Sequence, residues 1–326
     1  MDINLRKRWE TPEGQQRAEE AMACLVTGRA LAGLGLGEVE GRLDLRGLPA
    51  PIPRRLRRFE TAGWFAEELG ELTEFRGARL EGLDLSGAQL QSFRFHNSQI
   101  VGCRFDGANC RDWRLWGTEV LGCRFANANL RESAVGTWHE TRRNLWRRVD
   151  FSGSDFRIGV SRMAVYENCD FSGAKLAKVK FEQCALTHCR FAGVLREVVF
   201  DGRSLADRPA PPPMESVDFA NAAFDKVEFM GFDLSGVILP QDPDVRLIRR
   251  YGCVLQRALI ALSADESLPA RMLRGEFTNR LKMMRGTGEE VNTFNRRDYL
   301  SSGGEELADL ADRVLREAET ACLSAS

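Results

Sequence analysis

A bulky apolar residue recurs at every fifth position between residues 75 and 130 of this 326-residue chain. A spacing of five fits neither the 3.6-residue period of a helix nor the two-residue period of a strand. The chain must therefore turn a corner about every five residues. The positions are Phe75, Leu80, Leu85, Leu90, Phe95, Ile100, Phe105, Cys110, Leu115, Val120, Phe125 and Leu130.

Two further positions in each repeat indicate how the corner and the interior are built. The residue two places before each apolar centre is usually small, as at Ala88 and Cys103, and strand alternation turns it to the same side. The residue two places after each centre is mostly Gly, or Asn or Asp as at Asn97 and Asp112, which tolerate the positive φ of a tight turn. Because four inward side chains crowd each level, we expect only small ones at the second position.

Four five-residue sides close a square of about twenty residues, and such squares stack at the strand spacing of roughly 4.8 Å. The centres then form columns of buried side chains. One predicted column contains Phe75, Phe95 and Leu115, and another contains Leu85, Phe105, Phe125 and Leu145.

Short sequence motifs in the repeats resemble those of the pentapeptide-repeat family, whose motif is A-(D/N)-L-x-x. They read GAQL at 87–90, GANC at 107–110, NANL at 127–130 and GAKL at 173–176. The resemblance implies a right-handed quadrilateral β-helix. The predicted fold class is mostly β, a pentapeptide-repeat solenoid with an N-terminal helical cap and a C-terminal α-helical domain.

The predicted domains are a helical cap and entry segment at 1–72, the β-helix at 73–240 and a helical domain at 241–326. Thr11 and Pro12 mark the start of a cap helix that ends near Thr27. Leu43 and Leu45 alternate as in a first side of the solenoid, and a second cap helix is expected at 54–69.

Two breaks interrupt the five-residue count, near 136–148 and 201–216. The centres after the first break are one residue out of phase, so we expect one extra residue between Leu145 and Phe151. The second break contains the Pro-rich run 208–213, which cannot pair in a ladder and should protrude.

After residue 243 the apolar spacing becomes helical. We expect helices over about 245–262, 268–284 and 305–322, with a loop region at 286–302. In proteins that this chain resembles, a C-terminal helix forms the dimer, so the resemblance implies a possible homodimer through these helices.

Charge and composition narrow the function. Residues 73–239 carry 22 basic and 21 acidic side chains, so direct nucleic-acid binding is not expected, and a DNA mimic should be far more acidic. No apolar run is long enough to span a membrane, and we do not expect the charged amino-terminal stretch to be a secretory signal. Most cysteines fall at inward positions, which favours free thiols, no metal and a reducing cytoplasm.

Two surface features are candidates for binding a protein partner. Arg94 and Arg114, and likewise Arg104 and Arg124, should point outward one level apart, either neutralised by neighbouring carboxylates or forming an arginine ladder for an acidic partner. The stretch 138–148 interleaves Trp and Arg, either as a docking element or as a bulge packed on the solenoid. Its candidate residues are Trp138, Arg142, Arg143, Trp146, Arg147 and Arg148.

No known catalytic signature, cofactor motif or metal-ligand spacing appears in the sequence. The predicted function is a non-enzymatic scaffold or regulator that binds proteins through its outer faces. The resemblance implies an alternative, which is binding of a type II topoisomerase (DNA gyrase) with protection against gyrase-targeting antibiotics. An enzyme in the C-terminal helices is a third possibility, with 292–299 as its only locus.

Overall fold

The computed structural model describes residues 4–50, 73–203, 211–284 and 291–324, and it divides into two compact units, Met1–Lys175 and Leu176–Ser326. In the first unit, two helices precede a series of short strands. These are α1 (Asn4–Lys7), α2 (Pro12–Thr27), β1 (Glu38–Val39), β2 (Arg42–Asp44), β3 (Thr73–Arg76), β4 (Arg79–Glu81), β5 (Leu83–Asp84), β6 (Phe93–His96), β7 (Gln99–Val101), β8 (Arg114–Trp116), β9 (Glu119–Leu121), β10 (Ala134–Gly136), β11 (Trp138–His139), β12 (Arg142–Arg143), β13 (Leu145–Arg147), β14 (Val160–Arg162) and β15 (Val165–Glu167).

Parallel strands stack into the sides of a square β-helix. One side is β3, β6, β8, β10 and β14 in that order, and another is β4, β7, β9, β13 and β15. Single parallel bridges form the other two sides, one through Arg104 and Arg124 and one through Asn109 and Asn129. The predicted fold class is confirmed.

Each predicted corner residue has the left-handed backbone that a tight turn requires. Asn97, Asp112 and Asn127 have φ of 49°, 61° and 56°. The φ angle lies between 57° and 67° at the seven corner glycines, which are Gly77, Gly82, Gly87, Gly102, Gly107, Gly117 and Gly122. Asn and Asp are the side chains that tolerate this region best. The sequence spacing therefore follows from the geometry of the corners.

All twelve predicted centres are buried, with at most 3% of the residue exposed. Phenylalanine rings stack along the interior, with centroids 4.7 Å apart for Phe75 and Phe95 and 4.5 Å apart for Phe105 and Phe125. The prediction that Leu145 continues the second column is wrong. Phe151 stacks on Phe125 at 5.6 Å, because the first break shifts the register before residue 146.

The expectation that only small side chains fit at the second inward position is also wrong. Phe93 and Trp113 occupy that position in successive levels, are 1% and 0% exposed, and stack with ring centroids 6.1 Å apart. The indole N–H of Trp113 donates to the carbonyl of Leu90 at 2.6 Å. Two large rings fit because they lie one above the other.

The N-terminal segment covers the first level of the square. Thr11 caps α2 by accepting a hydrogen bond from the Gly14 N–H, as predicted, and Pro12 is the first helical residue. Strand β2 pairs in parallel with β5, so Leu43 and Leu45 do begin the solenoid. The second cap helix predicted at 54–69 lies outside the described residues.

The second unit combines further β-helix with helices. Its elements are β16 (Lys180–Glu182), β17 (Ala185–Thr187), β18 (Arg190–Arg196), β19 (Val199–Asp201), β20 (Val217–Asp225), β21 (Glu228–Met230), β22 (Val237–Ile238), β23 (Val245–Arg249), α3 (Tyr251–Ala261), α4 (Leu268–Met284), β24 (Val291–Asn295) and α5 (Arg296–Leu323).

The β-helix of the second unit is less regular. Strands β16, β19 and β21 stack Phe181, Phe200 and Phe229 in one column, with ring centroids 5.2 Å and 5.0 Å apart. Strands β18 and β20 run straight through the position of a corner and pair over most of their length. Of the Pro-rich run, residues 211–213 are described and adopt no regular structure, and the rest lies outside the described residues.

Two predictions for the C-terminal segment are wrong. Residues 245–249 form strand β23 rather than the start of a helix, and β23 pairs antiparallel with β24. The expected loop at 286–302 contains β24 and the first turns of α5, which is interrupted at Gly303 and Gly304. Helix α4 was predicted with its bounds. None of the helices in the described ranges is long and apolar enough to cross a membrane.

A disulfide joins Cys253 near the start of α3 to Cys322 near the end of α5. This contradicts the expectation of free thiols throughout. The two cysteines are 69 positions apart, so nothing in the local sequence signals their pairing. The other seven cysteines are free and buried, and five of them fill the small inward position.

Candidate interaction surface

The two pairs of outward arginines lie in the predicted register. Arg94 in β6 is directly below Arg114 in β8, and a single bridge aligns Arg104 with Arg124. We call these pairs the arginine rows. Like charges at the strand spacing repel, so the availability of each row depends on nearby carboxylates.

Asp112 neutralises the first row. Its two carboxylate oxygens bind Nη2 of Arg94 at 2.7 Å and Nη2 of Arg114 at 2.8 Å. Arg94 also donates to the backbone carbonyls of Asp112 and Phe93, and only 8% of the residue is exposed. Its guanidinium is therefore part of the outer wall and is not free to bind a partner.

The second row is neutralised in the same way. Asp106 lies between the two arginines, 3.8 Å from Arg104 and 3.3 Å from Arg124. Glu40 also binds Arg104 at 2.6 Å, and this hydrogen bond is the main cause that raises the pKa of Arg104. Arg124 has a second carboxylate, Asp150, at 3.2 Å. In both arginine rows, neighbouring carboxylates thus pair with the guanidinium groups, which is the first of the two interpretations given above.

The first break holds an insertion of six residues. Val135 and Trp146 are both buried centres, and they lie eleven positions apart where a regular repeat needs five. The inserted residues form a two-stranded antiparallel hairpin, in which Trp138 pairs with Arg143 and His139 with Arg142. The predicted single extra residue after Leu145 is therefore wrong. We call residues 137–143 the hairpin.

The buried side chain of Asn144 fixes the base of the hairpin. Its Nδ2 donates to the carbonyls of Leu115 and Val135 at 2.9 Å and 3.1 Å, and its Oδ1 accepts from the Thr118 N–H at 2.9 Å. Thr137 Oγ1 donates to the Leu115 carbonyl at 2.7 Å. The hairpin therefore leaves the β-helix from a rigid base.

Some of the candidate binding residues in 138–148 lie on the hairpin, and the others lie in the β-helix. Trp146 is fully buried as a centre opposite Val120, so it cannot reach a partner. Arg147 pairs with Glu167 and Arg148 occupies a corner with φ of 53°. Only Trp138, Arg142 and Arg143 lie on the hairpin itself.

The hairpin carries a mixed aromatic and cationic surface. The guanidinium carbon of Arg143 lies 5.7 Å from the centroid of the half-buried Trp138 ring, which is the geometry of a cation–π contact. Arg142 is exposed, and within the described ranges no carboxylate pairs with it. Arg142 is therefore a cation available to a partner.

Two residues that the sequence analysis did not select extend this surface. His96 in β6 stacks on Trp116 in β8 with ring centroids 4.4 Å apart, and His139 of the hairpin meets His96 edge-on at 6.3 Å. Burial and, to a smaller extent, Arg76 lower the pKa of His96. We call His96, Trp116, Trp138 and His139 the aromatic patch. The signal that could have revealed it is the twenty-residue separation of His96 and Trp116.

No candidate metal site accompanies this surface, since the described part of the chain contains no cluster of three or more metal-binding side chains. The side chains available on the hairpin are aromatic rings and guanidinium groups. Such groups bind by stacking, cation–π contact and charge.

The square sides, the positive-φ corners and the stacked centres define this protein as a repeat solenoid of the β-helix class. Residues 73–112 and 164–194 match the family model described as pentapeptide repeats, in eight copies. These two stretches of the chain are pentapeptide repeats, as the sequence motifs indicated. No curated protein matches the sequence significantly.

Solved structures of other pentapeptide-repeat proteins show limited similarity. HetL, a protein involved in heterocyst differentiation regulation from the cyanobacterium Nostoc sp. strain PCC 7120, is 18% identical over 52% of this chain and 73% of its own, with a TM-score of 0.36. A trypsin-treated variant of QnrB1, a plasmid-mediated fluoroquinolone resistance protein, is 21% identical over 61% of this chain and 91% of its own, with a TM-score of 0.39. Rfr23 from the cyanobacterium Cyanothece 51142 is 15% identical over 48% and 88%, with a TM-score of 0.23.

Proposed function

We propose that this protein is a non-enzymatic scaffold that binds another protein through the hairpin and the aromatic patch. The observation that carries the proposal is the insertion between Val135 and Trp146. Six residues interrupt a repeat that is regular from Phe75 to Leu130, and they place Trp138 and Arg142 on the outside of the β-helix. Loops on rigid elements are frequent binding sites.

The partner surface should be acidic with exposed apolar groups. Arg142 offers an exposed cation, and Trp138 and Trp116 offer large rings that are partly exposed. Trp, Tyr and Arg are the residues most enriched at the energetic centres of protein interfaces. The arginine rows are weaker candidates because Asp112 and Asp106 already occupy their guanidinium groups.

The filled interior supports a role without catalysis. Stacked phenylalanines occupy the columns of the β-helix in the first unit, for example Phe105, Phe125 and Phe151. Close-packed rings leave no room for a substrate there. The outer surface is then the part of the β-helix that acts. We also propose a cytoplasmic location, which the seven free cysteines favour and the disulfide between Cys253 and Cys322 opposes.

Site-specific photo-crosslinking in native cytosol tests the docking surface. A photoreactive phenylalanine replaces Trp138 in one variant and Ile158 in the control, because Ile158 is 63% exposed in the same unit but lies outside the hairpin. We expect a discrete crosslinked partner at position 138 that is absent at 158 and weakens as salt rises. Equal labelling at both positions, or none at 138, would contradict the proposal.

Binding of a type II topoisomerase remains the alternative that the family resemblance suggests. The charge balance of 22 basic and 21 acidic residues in 73–239 does not favour imitation of DNA. A supercoiling assay with purified gyrase, with and without a quinolone, tests whether the protein acts on gyrase. Inhibition or relief of poisoning would establish this alternative, and the absence of both effects would discard it.

A homodimer through the C-terminal helices is also proposed. Ile260 in α3 is 72% exposed and borders a shallow groove between α3 and α5, which Arg257 and Glu317 flank. Opposite charges on one groove suit the self-complementary contact of a two-fold dimer. Sedimentation of the wild type and of Ile260→Glu tests it, because the variant should be monomeric.

A further inference from the structure

A polar cleft of about 310 Å³ lies in the second unit beside α4 and α5. Its wall includes two buried amides, three carboxylates and two cationic side chains, which is unusual for a packing defect in a helical domain. The residues that the argument uses are Lys226, Glu276, Arg280, Asn292, Asp298 and Tyr299.

Arg280 presents the edge of its guanidinium to this cleft. Its Nε donates to Oε1 of Glu276 at 2.8 Å, and Tyr299 donates its hydroxyl to the same oxygen at 3.0 Å. Burial raises the pKa of Tyr299 well above its ordinary value, so the hydroxyl remains a donor. Within the described residues, Nη1 and Nη2 of Arg280 have no hydrogen-bond partner. An arginine held by Nε leaves its two terminal nitrogens ready for a carboxylate.

Asp298 supplies the opposite charge. Its Oδ1 accepts from the Lys226 backbone N–H at 2.9 Å and from Asn295 Nδ2 at 3.1 Å, which fixes the side chain. In the described part of the chain, Oδ2 has no partner. Burial raises the pKa of Asp298, while Arg280 is close enough to lower it in part. The cleft therefore holds an unsatisfied cation edge and an unsatisfied carboxylate oxygen near each other.

We propose that this cleft binds a small zwitterion of the amino-acid type. The ligand carboxylate would lie across Nη1 and Nη2 of Arg280, and the ligand ammonium would donate to Oδ2 of Asp298. A dianion such as phosphate is disfavoured by Glu276 and Asp298, and a simple cation is disfavoured by Arg280 and Lys226. This site goes beyond the proposed docking function and does not depend on it.

Isothermal titration of the full chain with each common α-amino acid tests the site, with acetate and inorganic phosphate as separate probes. We expect at least one amino acid to bind more tightly than acetate or phosphate. Arg280→Gln should weaken that binding about tenfold or more, and Arg280→Lys should do so less, because Lys keeps the charge but loses the fork. Arg271→Gln on the exposed side of the same helix is the matched control and should bind as the wild type does.

A second variant covers the possibility that Arg280→Gln folds poorly, which circular dichroism would detect. Asp298→Asn keeps an oxygen for the Lys226 and Asn295 donors but removes the charge. It should weaken amino-acid binding and leave acetate binding unchanged. The proposal is overturned if no amino acid binds at millimolar concentration, if phosphate or acetate binds as tightly, or if both folded variants bind as the wild type does.

Discussion

The carboxylate of Asp112 lies 2.7 Å from Nη2 of Arg94 on the outside of the β-helix. The same carboxylate binds Arg114 at 2.8 Å, one level above. Asp112 is also a corner residue with φ of 61°. The backbone of Asp112 therefore forms a turn, and its side chain cancels the repulsion between two stacked arginines. The row of Arg94 and Arg114 thus contributes to stability rather than to binding.

Asp112→Asn should destabilise the first unit by about 2–3 kcal/mol, because it leaves the buried guanidinium of Arg94 without its counter-charge. Asn tolerates the same positive φ, so the backbone is not the cause. The matched control is Asp106→Asn, which should cost less than about 1 kcal/mol because Arg124 is half exposed and retains Asp150. Chemical denaturation measures the free energy of unfolding of both variants. Equal losses of stability would contradict the proposed role of Asp112 as the counter-charge of Arg94.

The two tryptophans of the first break should respond in opposite ways. Trp146→Ala removes a fully buried centre and should destabilise the protein by about 3–5 kcal/mol. Trp138→Ala should leave the unfolding midpoint nearly unchanged and weaken partner binding. Thermal unfolding combined with the crosslinking assay separates the two effects. A stable Trp146→Ala variant would show that residue 146 is not a centre.

His96 should titrate below its ordinary value of 6.5, because burial disfavours its charged form and Arg76 adds repulsion. The folded protein should therefore lose stability as the pH falls through the region just below 6.5, where the unfolded chain takes up the proton more readily. Trp116→Ala removes the ring stacked on His96 and should raise the pKa of His96. Proton NMR of the imidazole measures this, and a pKa at or above 6.5 in the wild type would contradict the effect of burial and Arg76 on His96.

The disulfide between Cys253 and Cys322 should stabilise the helical part of the second unit. Closing a loop across 69 positions is worth about 4 kcal/mol in the chain-entropy model. A thiol reductant should lower the unfolding midpoint of the wild type to that of Cys253→Ser, which should not respond to the reductant. A wild-type midpoint that is indifferent to reductant would show that the two thiols are not joined.

The regular part of the fold was predictable because each five-residue step repeats the same steric demand. An apolar centre, an inward neighbour and a positive-φ corner specify one side of the square independently of the others. The corners at Asn97, Asp112 and Asn127 could be placed for this reason. Local sequence is sufficient wherever the structure is built from local turns.

The sequence analysis did not predict the hairpin, because a six-residue insertion shifts the five-residue spacing by the same single position as a one-residue insertion. The eleven positions from Val135 to Trp146 exceed two regular steps by one residue, so an insertion of six looks like an insertion of one. Leu145 also has the character of a centre. The pairing of Trp146 with Val120 in the neighbouring level distinguishes an insertion of six residues from an insertion of one.

Long-range partners account for the remaining errors. Val245, Ile248 and Tyr251 have the spacing of a helical face, but residues 245–249 pair with a strand that begins at residue 291. Tertiary pairing overrides local propensity in such cases. The same holds for Asp298, whose carboxylate meets the backbone of Lys226 across 72 positions. Sequence spacing cannot reveal these contacts.

Removal of the hairpin tests the central claim most directly. Deleting residues 137–142 and changing Arg143 to Gly restores the five-residue step from Val135 to Trp146 and provides a corner residue. The measurement is the affinity of this variant for the partner identified by crosslinking, beside its unfolding midpoint. The predicted result is a β-helix that is as stable as the wild type and binds the partner at least about tenfold more weakly. A folded variant that binds with unchanged affinity would contradict the account.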